Sequence, residues 1–396
     1  MRHPDTIPEA TPAGTPKIDA PATSRRALLR GLGLAGVGAA ALAAGCAKSD
    51  EAVAAPAPAT PDTSGPALLN SNENPFGPSP MAKEAMAKAI AGCNRYANEP
   101  TVDMQKKIAA IEGVDPEMVV ISNGSSPILQ AFGLWMGEDK GELVTSVATY
   151  ENVPSSSAKY GASVVEVPMA EGMKFDLNAM AAKMSSKTKA AYICNPNNPT
   201  GNMVDPVALK AFVEAAPKQA VTFIDEAYLD LCDDYDANVM AGLLRDGHNV
   251  IICRTFSKIY GMAGQRVGYA LMKKELAGSF WGAVRQGGIN HIGVMGAIAS
   301  LDDKTFYADQ KVRLKRGREK LIAMADAMKL KYAADSQANF IFLDTGMQNK
   351  DFSAKMMAEG VKVGRSWKGY ETWSRICVGE DWELDRCATA LKKVLA

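Results

Sequence analysis

Between residues 119 and 271 the chain is punctuated by short apolar runs: Val119–Ser122, Glu142–Thr145, Val164–Val167, Ala190–Cys194, Thr222–Asp225, Val250–Cys253 and Arg266–Leu271. Each is too brief for a helix and is bounded by turn residues, which predicts buried strands. Helical stretches separate them. One runs from the turn Asn123–Pro127 through Met136, with Pro127 at its first position, and another starts at Asp205-Pro206, an N-cap followed by proline. Strand and helix alternating in this way predict an α/β fold with a mostly parallel sheet flanked by helices. From about Asp302 the texture changes. A Lys- and Arg-rich helix over 307–328, a strand over Ala338–Leu343, a helix ending at Gly360, and the runs Val361–Arg365 and Trp373–Gly379 predict a smaller α+β domain.

The N-terminal part has no such pattern. Residues 1–23 are rich in Pro, Ala and Thr and read as disordered. Arg25 and Arg26 then precede an apolar, glycine-softened stretch from Gly31 to about Ala47, too short for a convincing membrane span. This predicts an export signal of the twin-arginine type over 1–47, and hence a periplasmic protein. Cys46 leaves a lipid anchor open, although Ala43 stands where a lipobox usually has leucine. Residues 48–66 form a linker, 67–100 an arm and a helix, 101–300 the large domain and 301–396 the small one. With 44 basic and 44 acidic residues, nothing argues for a nucleic-acid partner. Six cysteines follow Cys46 without a C-x-x-C, and three histidines lack metal-ligand spacing, so no metal site is expected.

The candidate chemistry sits at strand ends. Thr255 and Ser257 lie three and one residues before Lys258, on a glycine-spaced turn, and Arg266 follows eight residues later. A lysine held away from bulk water has a lowered pKa and can form a Schiff base with an aldehyde. Hydroxyls and a guanidinium beside it suit a phosphate. Asp225 ends the strand before, with Tyr228 three residues on, and Asn198 lies in the turn after Cys194. A carboxylate can keep a pyridine nitrogen protonated, while an amide and a phenol can meet the ring's 3-oxygen. Together these describe a site for pyridoxal 5'-phosphate (PLP). The turn Gly124-Ser125-Ser126, at a helix start, offers backbone N–H groups to an anion.

The blocks N-P-N-N-P-T-G (195–201), F-I-D-E-A-Y (223–228) and T-F-S-K-x-x-G-x-A-G-x-R-x-G-Y (255–269) occur in that order. The chain from about Leu68 onward resembles the fold-type I aminotransferases, in the branch similar to histidinol-phosphate aminotransferases. The resemblance implies a dimer with shared active sites, in which Tyr96 reaches the phosphate of the neighbouring subunit's cofactor. It implies Tyr150 stacked on the cofactor ring, Arg375 clamping the substrate's anionic group, and an N-terminal arm, with Asn74, across the substrate pocket. Relatives carry an acidic residue where this chain has Pro127. Arg365 is a second candidate anion ligand or a surface arginine, and the rings between Gly364 and Trp373 suit an aromatic or cationic substrate or simply a core. The implied reaction is transamination between an amino donor and a 2-oxo acid. Another PLP reaction (cyclase, β-lyase or decarboxylase) and a non-catalytic PLP-binding protein stay open at this stage.

Overall fold

The computed structural model describes residues 63–284 and 288–396. The export signal and Cys46 lie outside the described residues. Among the described residues eleven strands follow in chain order: β1 (Ala67–Leu69), β2 (Val119–Ser122), β3 (Glu142–Ser146), β4 (Ser163–Val167), β5 (Thr188–Cys194), β6 (Val221–Asp225), β7 (Val250–Thr255), β8 (Gly268–Leu271), β9 (Phe340–Asp344), β10 (Val361–Val363) and β11 (Trp373–Cys377). Seven of them form one sheet in the order β2-β8-β7-β6-β5-β3-β4. All its neighbours are parallel except those of β8, which runs antiparallel to both β7 and β2.

Both faces of this sheet are buried. Ile193, Ile224 and Ile252 pack on one side, and Tyr192, Phe223, Ile251 and Cys253 on the other. A strand covered on both faces reads as a continuous apolar run rather than an alternation, which is why the runs marked the strands. The edge strand β4 is the exception, with only Val167 of its five residues buried.

The helices begin where their caps dictate. Ser79 Oγ accepts from the Ala82 N–H (3.0 Å) and Asp205 Oδ1 from that of Ala208 (2.8 Å), with prolines next in sequence. The helix after β2 starts at Ser126, so Pro127 takes its second position rather than the first. The long basic helix spans Lys304–Ala327, starting three residues upstream of the predicted start, and is capped by Asp303.

The C-terminal elements pair as β9 with β11, antiparallel, and β10 with β1, parallel. Ala67 and Leu69 therefore belong to the core of the C-terminal part, together with Phe340, Val361 and Ile376. The arm that follows β1 runs from there towards the ends of β6 and β7.

A buried ion network fixes those two strand ends. The Arg254 guanidinium donates to Glu226 Oε2 (2.8 Å), Glu112 Oε1 (2.5 Å) and Tyr235 Oη (3.0 Å), with all three charged groups buried. Burial raises the Glu226 carboxyl, with a smaller push from the Glu112 charge, and Arg254 opposes that shift. Removing one partner from such a network strands a buried charge, at a cost of about 3–5 kcal/mol. Glu226 and Arg254 flank Asp225 and Thr255, so the network holds the site's floor.

Candidate active site

Ser125, Ser126, Tyr150, Asn198, Asp225, Tyr228, Thr255, Ser257, Lys258, Arg266 and Arg375 line one cavity of about 390 Å³. It opens at the carboxyl ends of β5, β6 and β7, where open α/β sheets bind ligands.

At one end of the cavity is a polar cradle. Thr255 Oγ1 lies 2.9 Å from Ser257 Oγ, and Arg266 Nη1 donates to the Ala263 carbonyl (2.9 Å) and weakly to Ser257 Oγ (3.4 Å). Arg266 was expected to open β8. Instead its backbone is left-handed, φ 54°, and β8 starts two residues later. Gly124 (φ 85°) lies under the guanidinium, and a Cβ there would overlap it. A Cβ at Gly268 would come within 2.6 Å of the Ser125 backbone nitrogen. Glycines at these two places bring the Ser125–Ser126 helix start and Arg266 together. The first N–H groups of a helix have no intrahelical partner, so the cradle presents donors and positive charge to an anion.

On the floor, Asp225 accepts from the Tyr192 hydroxyl (3.2 Å) and the Ala227 N–H (3.2 Å). Burial pushes its carboxyl up to about 6 against these bonds and the nearby Lys258 charge. Lys258 Nζ donates to the Asn72 carbonyl (3.2 Å) and sits 5.2 Å from the centre of the Tyr228 ring. Burial, helped by the Arg375 charge, lowers its amine to about 8. Burial likewise raises the Tyr228 phenol.

The opposite wall is Arg375. Its Nη1 donates to Asn198 Oδ1 (2.7 Å) and its Nη2 to the Asn70 carbonyl (2.6 Å). Its buried Nε has no hydrogen-bond partner among the described residues. Asn198 spends its oxygen on Arg375 and leaves its amide nitrogen for the cavity.

Two expected residues lie elsewhere. Asn74 is outside the cavity, because its amide donates to the Ile259 carbonyl (2.8 Å) and Gln310 Oε1 (3.0 Å) and so ties the arm to the core. Ser71, Asn72 and Glu73, just before it, are the arm residues that line the cavity, and the Asn72 amide donates to Tyr228 Oη (2.8 Å). Tyr96 is 81% exposed and does not line the cavity. Arg365 is paired with Glu151 and lies 4.0 Å from the Trp367 ring centre, which commits it to the rim. Trp367, Trp373 and Tyr370 pack around Phe342 as a small core.

The family follows from comparison with known proteins. Residues 66–391 match the family described as aminotransferase class I and II. The chain belongs to the class I and II aminotransferases. Histidinol-phosphate aminotransferase 1 of Dechloromonas aromatica is 35% identical over 330 residues, 83% of this chain and 89% of the relative. Histidinol-phosphate aminotransferase of Brevibacillus brevis is 32% identical over 83% of this chain and 90% of its own. Among solved structures, histidinol-phosphate aminotransferase from Sinorhizobium meliloti in complex with PLP superposes with a TM-score of 0.76 at 28% identity, covering 84% of this chain and 91% of that one. This aminotransferase is therefore a fold-type I enzyme that uses PLP for transamination.

The residues present fit the cofactor. The cradle suits its phosphate, Asp225 its ring nitrogen, and Lys258 its aldehyde, while Arg375 puts a cation in the cavity wall for a substrate anion. Among the described residues no group of three or more His, Cys, Asp or Glu side chains could hold a metal ion. No described helix is long and apolar enough to cross a membrane. Cys93 is exposed, and Cys194, Cys232, Cys253, Cys377 and Cys387 are buried free thiols.

Proposed function

We propose that this aminotransferase moves an amino group from a donor with one anion close to its α-carbon, an α-amino acid or an amino-alcohol phosphate such as histidinol phosphate, to a 2-oxo acid. The carrying observation is that Lys258, Asp225 and Arg375 share one 390 Å³ cavity. Ser125, Ser126, Thr255, Ser257 and Arg266 would hold the cofactor phosphate, Tyr150 would offer a flat face to its ring, and Asn198 and Tyr228 would meet its 3-oxygen. Bound there, PLP supplies an aldehyde that exchanges amines and a charged ring that accepts the electron pair left at the donor's α-carbon. Asp225, ionised, would keep that charge in place by pairing with the protonated ring nitrogen. Arg375 fixes the donor's anion and so aims its α-hydrogen at Lys258. Lys258 Nζ, once neutral, takes that proton; its lowered pKa makes the neutral form accessible near pH 8.

A panel of donors with 2-oxoglutarate tests the donor class. Arg375→Lys loses the planar fork, and kcat/KM for anionic donors falls about 10²-fold, mostly through KM. Donors lacking the anion turning over as well as those carrying it would sink this reading.

The active enzyme is a homodimer in which Tyr96 completes the partner's phosphate site. Its exposure in one subunit supports this, since nothing in its own cavity engages it. Mixing inactive Tyr96→Phe and Lys258→Ala subunits should then restore activity, because one of the two shared sites in a hybrid is intact. Activity that stays absent in proven hybrids contradicts it.

Arg25 and Arg26 direct export to the periplasm by the twin-arginine route; the motif and its modest apolar stretch support this. Replacing both arginines with lysine should leave the protein in the cytoplasm on fractionation. Unchanged export of that variant counts against the route.

A further inference from the structure

We propose that Cys377 is a positioning residue for the reaction, which sets the direction of the Tyr228 hydroxyl proton through the Asn72 amide. The inference rests on PLP occupying the cavity. Arg375 and Cys377 are two residues apart on β11 and so project to the same face. Arg375 lines the cavity, and Cys377 lies behind it, 1% exposed.

The Cys377 thiol donates to Asn72 Oδ1 (2.8 Å), and its sulfur accepts the Asn72 backbone N–H (3.0 Å). These two bonds hold Asn72 in a left-handed backbone conformation, φ 55°, which asparagine tolerates better than most residues. They also decide which way the amide points. With its oxygen occupied by the thiol proton, the amide has only its nitrogen to offer Tyr228, and it donates to the phenol oxygen at 2.8 Å. A phenol that accepts there must send its own proton elsewhere, and the open direction is the cavity. An amide turned the other way would take that proton for itself. The same residue's carbonyl accepts from Lys258 Nζ at 3.2 Å, so one backbone position serves both groups.

The charged and titratable groups around this cluster are Arg375 and Lys258 beside the thiol, and Asp225 and Cys194 near the phenol, with Glu73 near Lys258. None of these is removed by substitution at Cys377, so their fields stay constant in the comparison.

A donor on the ring 3-oxygen draws away electron density that would otherwise hold a proton at the lysine–cofactor nitrogen. Losing that donor raises the pH at which the holoenzyme's visible absorption changes. The test is a spectral pH titration of purified holoenzymes. Cys377→Ser keeps one donor and one acceptor, and its midpoint stays within ~0.3 unit of wild type. Cys377→Val removes the donor, and the midpoint rises by about one unit, the size of one neutral hydrogen bond. It should also lower kcat more than it changes KM. In a Tyr228→Phe background the same Val substitution moves the midpoint no further, because the proton it directs is gone. Should the branched side chain not fit, Cys377→Ala gives the same readout. The proposal is overturned if the midpoint of the Val or Ala variant stays at the wild-type value. It is equally overturned if the shift persists undiminished beside Tyr228→Phe. A wild-type protein with no visible band would instead overturn the cofactor assignment.

Discussion

Replacing Lys258 with alanine abolishes transamination while leaving the fold intact. Turnover falls by at least about 10⁴-fold, the upper range for a positioned acid–base group. The loss is expected in kcat, since Arg375 and the phosphate cradle still bind their ligands. The folded state should gain. Lys258 makes one hydrogen bond, to the Asn72 carbonyl, and its amine is lowered from 10.5 to about 8 by burial and Arg375. The unfolded chain therefore binds more protons than the folded one between pH 8 and 10.5, so wild-type stability rises with pH across that window. The Lys258→Ala apoenzyme is then more stable than wild type at pH 7, by a margin that closes as pH rises. The lowered pKa also speeds cofactor capture. At pH 7 roughly a tenth of the amine is neutral, against far less for an ordinary lysine. Capture by the wild-type apoenzyme accelerates up to about pH 8 and then levels. Substantial turnover by Lys258→Ala would remove this residue from the mechanism.

The second large effect is at Asp225. Asp225→Asn keeps the shape and a partner for the Tyr192 hydroxyl but cannot hold a charge opposite the ring nitrogen. Removing electrostatic stabilisation of this kind costs about 10²–10³-fold in kcat or more. The cofactor still binds, because the phosphate cradle and Lys258 are untouched. In the apoenzyme burial pushes the Asp225 carboxyl up from 3.8 to about 6. The folded state then binds the extra proton between those values, so this group's contribution to stability is present below pH 4 and is lost as pH rises through 6. The Asp225→Asn apoenzyme is accordingly more stable than wild type at pH 7, and the two converge as pH falls. A variant with unchanged kcat would show that the ring nitrogen is charged by some other group.

The strands were legible because β5, β6 and β7 are buried on both faces and thus read as unbroken apolar runs. Lys258, Asp225 and Ser257 were legible because they follow such runs directly, where a strand's end fixes the side chain's place. The arm was not. Residues 70–75 have no period, so nothing in the sequence says which asparagine points inward, and the left-handed turn at Asn72 gives the cavity to Asn72 and the core to Asn74. Arg266 was expected in β8, yet it sits just before that strand in a left-handed backbone conformation, with its guanidinium against Gly124, and neither feature has a signature in sequence. Tyr192 went unnoticed although its signal was present. It is a hydroxyl two residues before Cys194, whose neighbour in the sheet is Asp225. The Arg254 network was hidden for another reason: Glu112 is 142 residues away in sequence. Substrate choice was also underdetermined, and the structure moves Arg365 from candidate ligand to rim by pairing it with Glu151.

One amine, Lys258 Nζ, receives the cofactor, and borohydride reduction of the holoenzyme followed by peptide mass mapping shows whether it does. The expected product carries a phosphopyridoxyl group on the peptide containing Lys258 and on no other. The same mass on a different lysine, or on none, would contradict it.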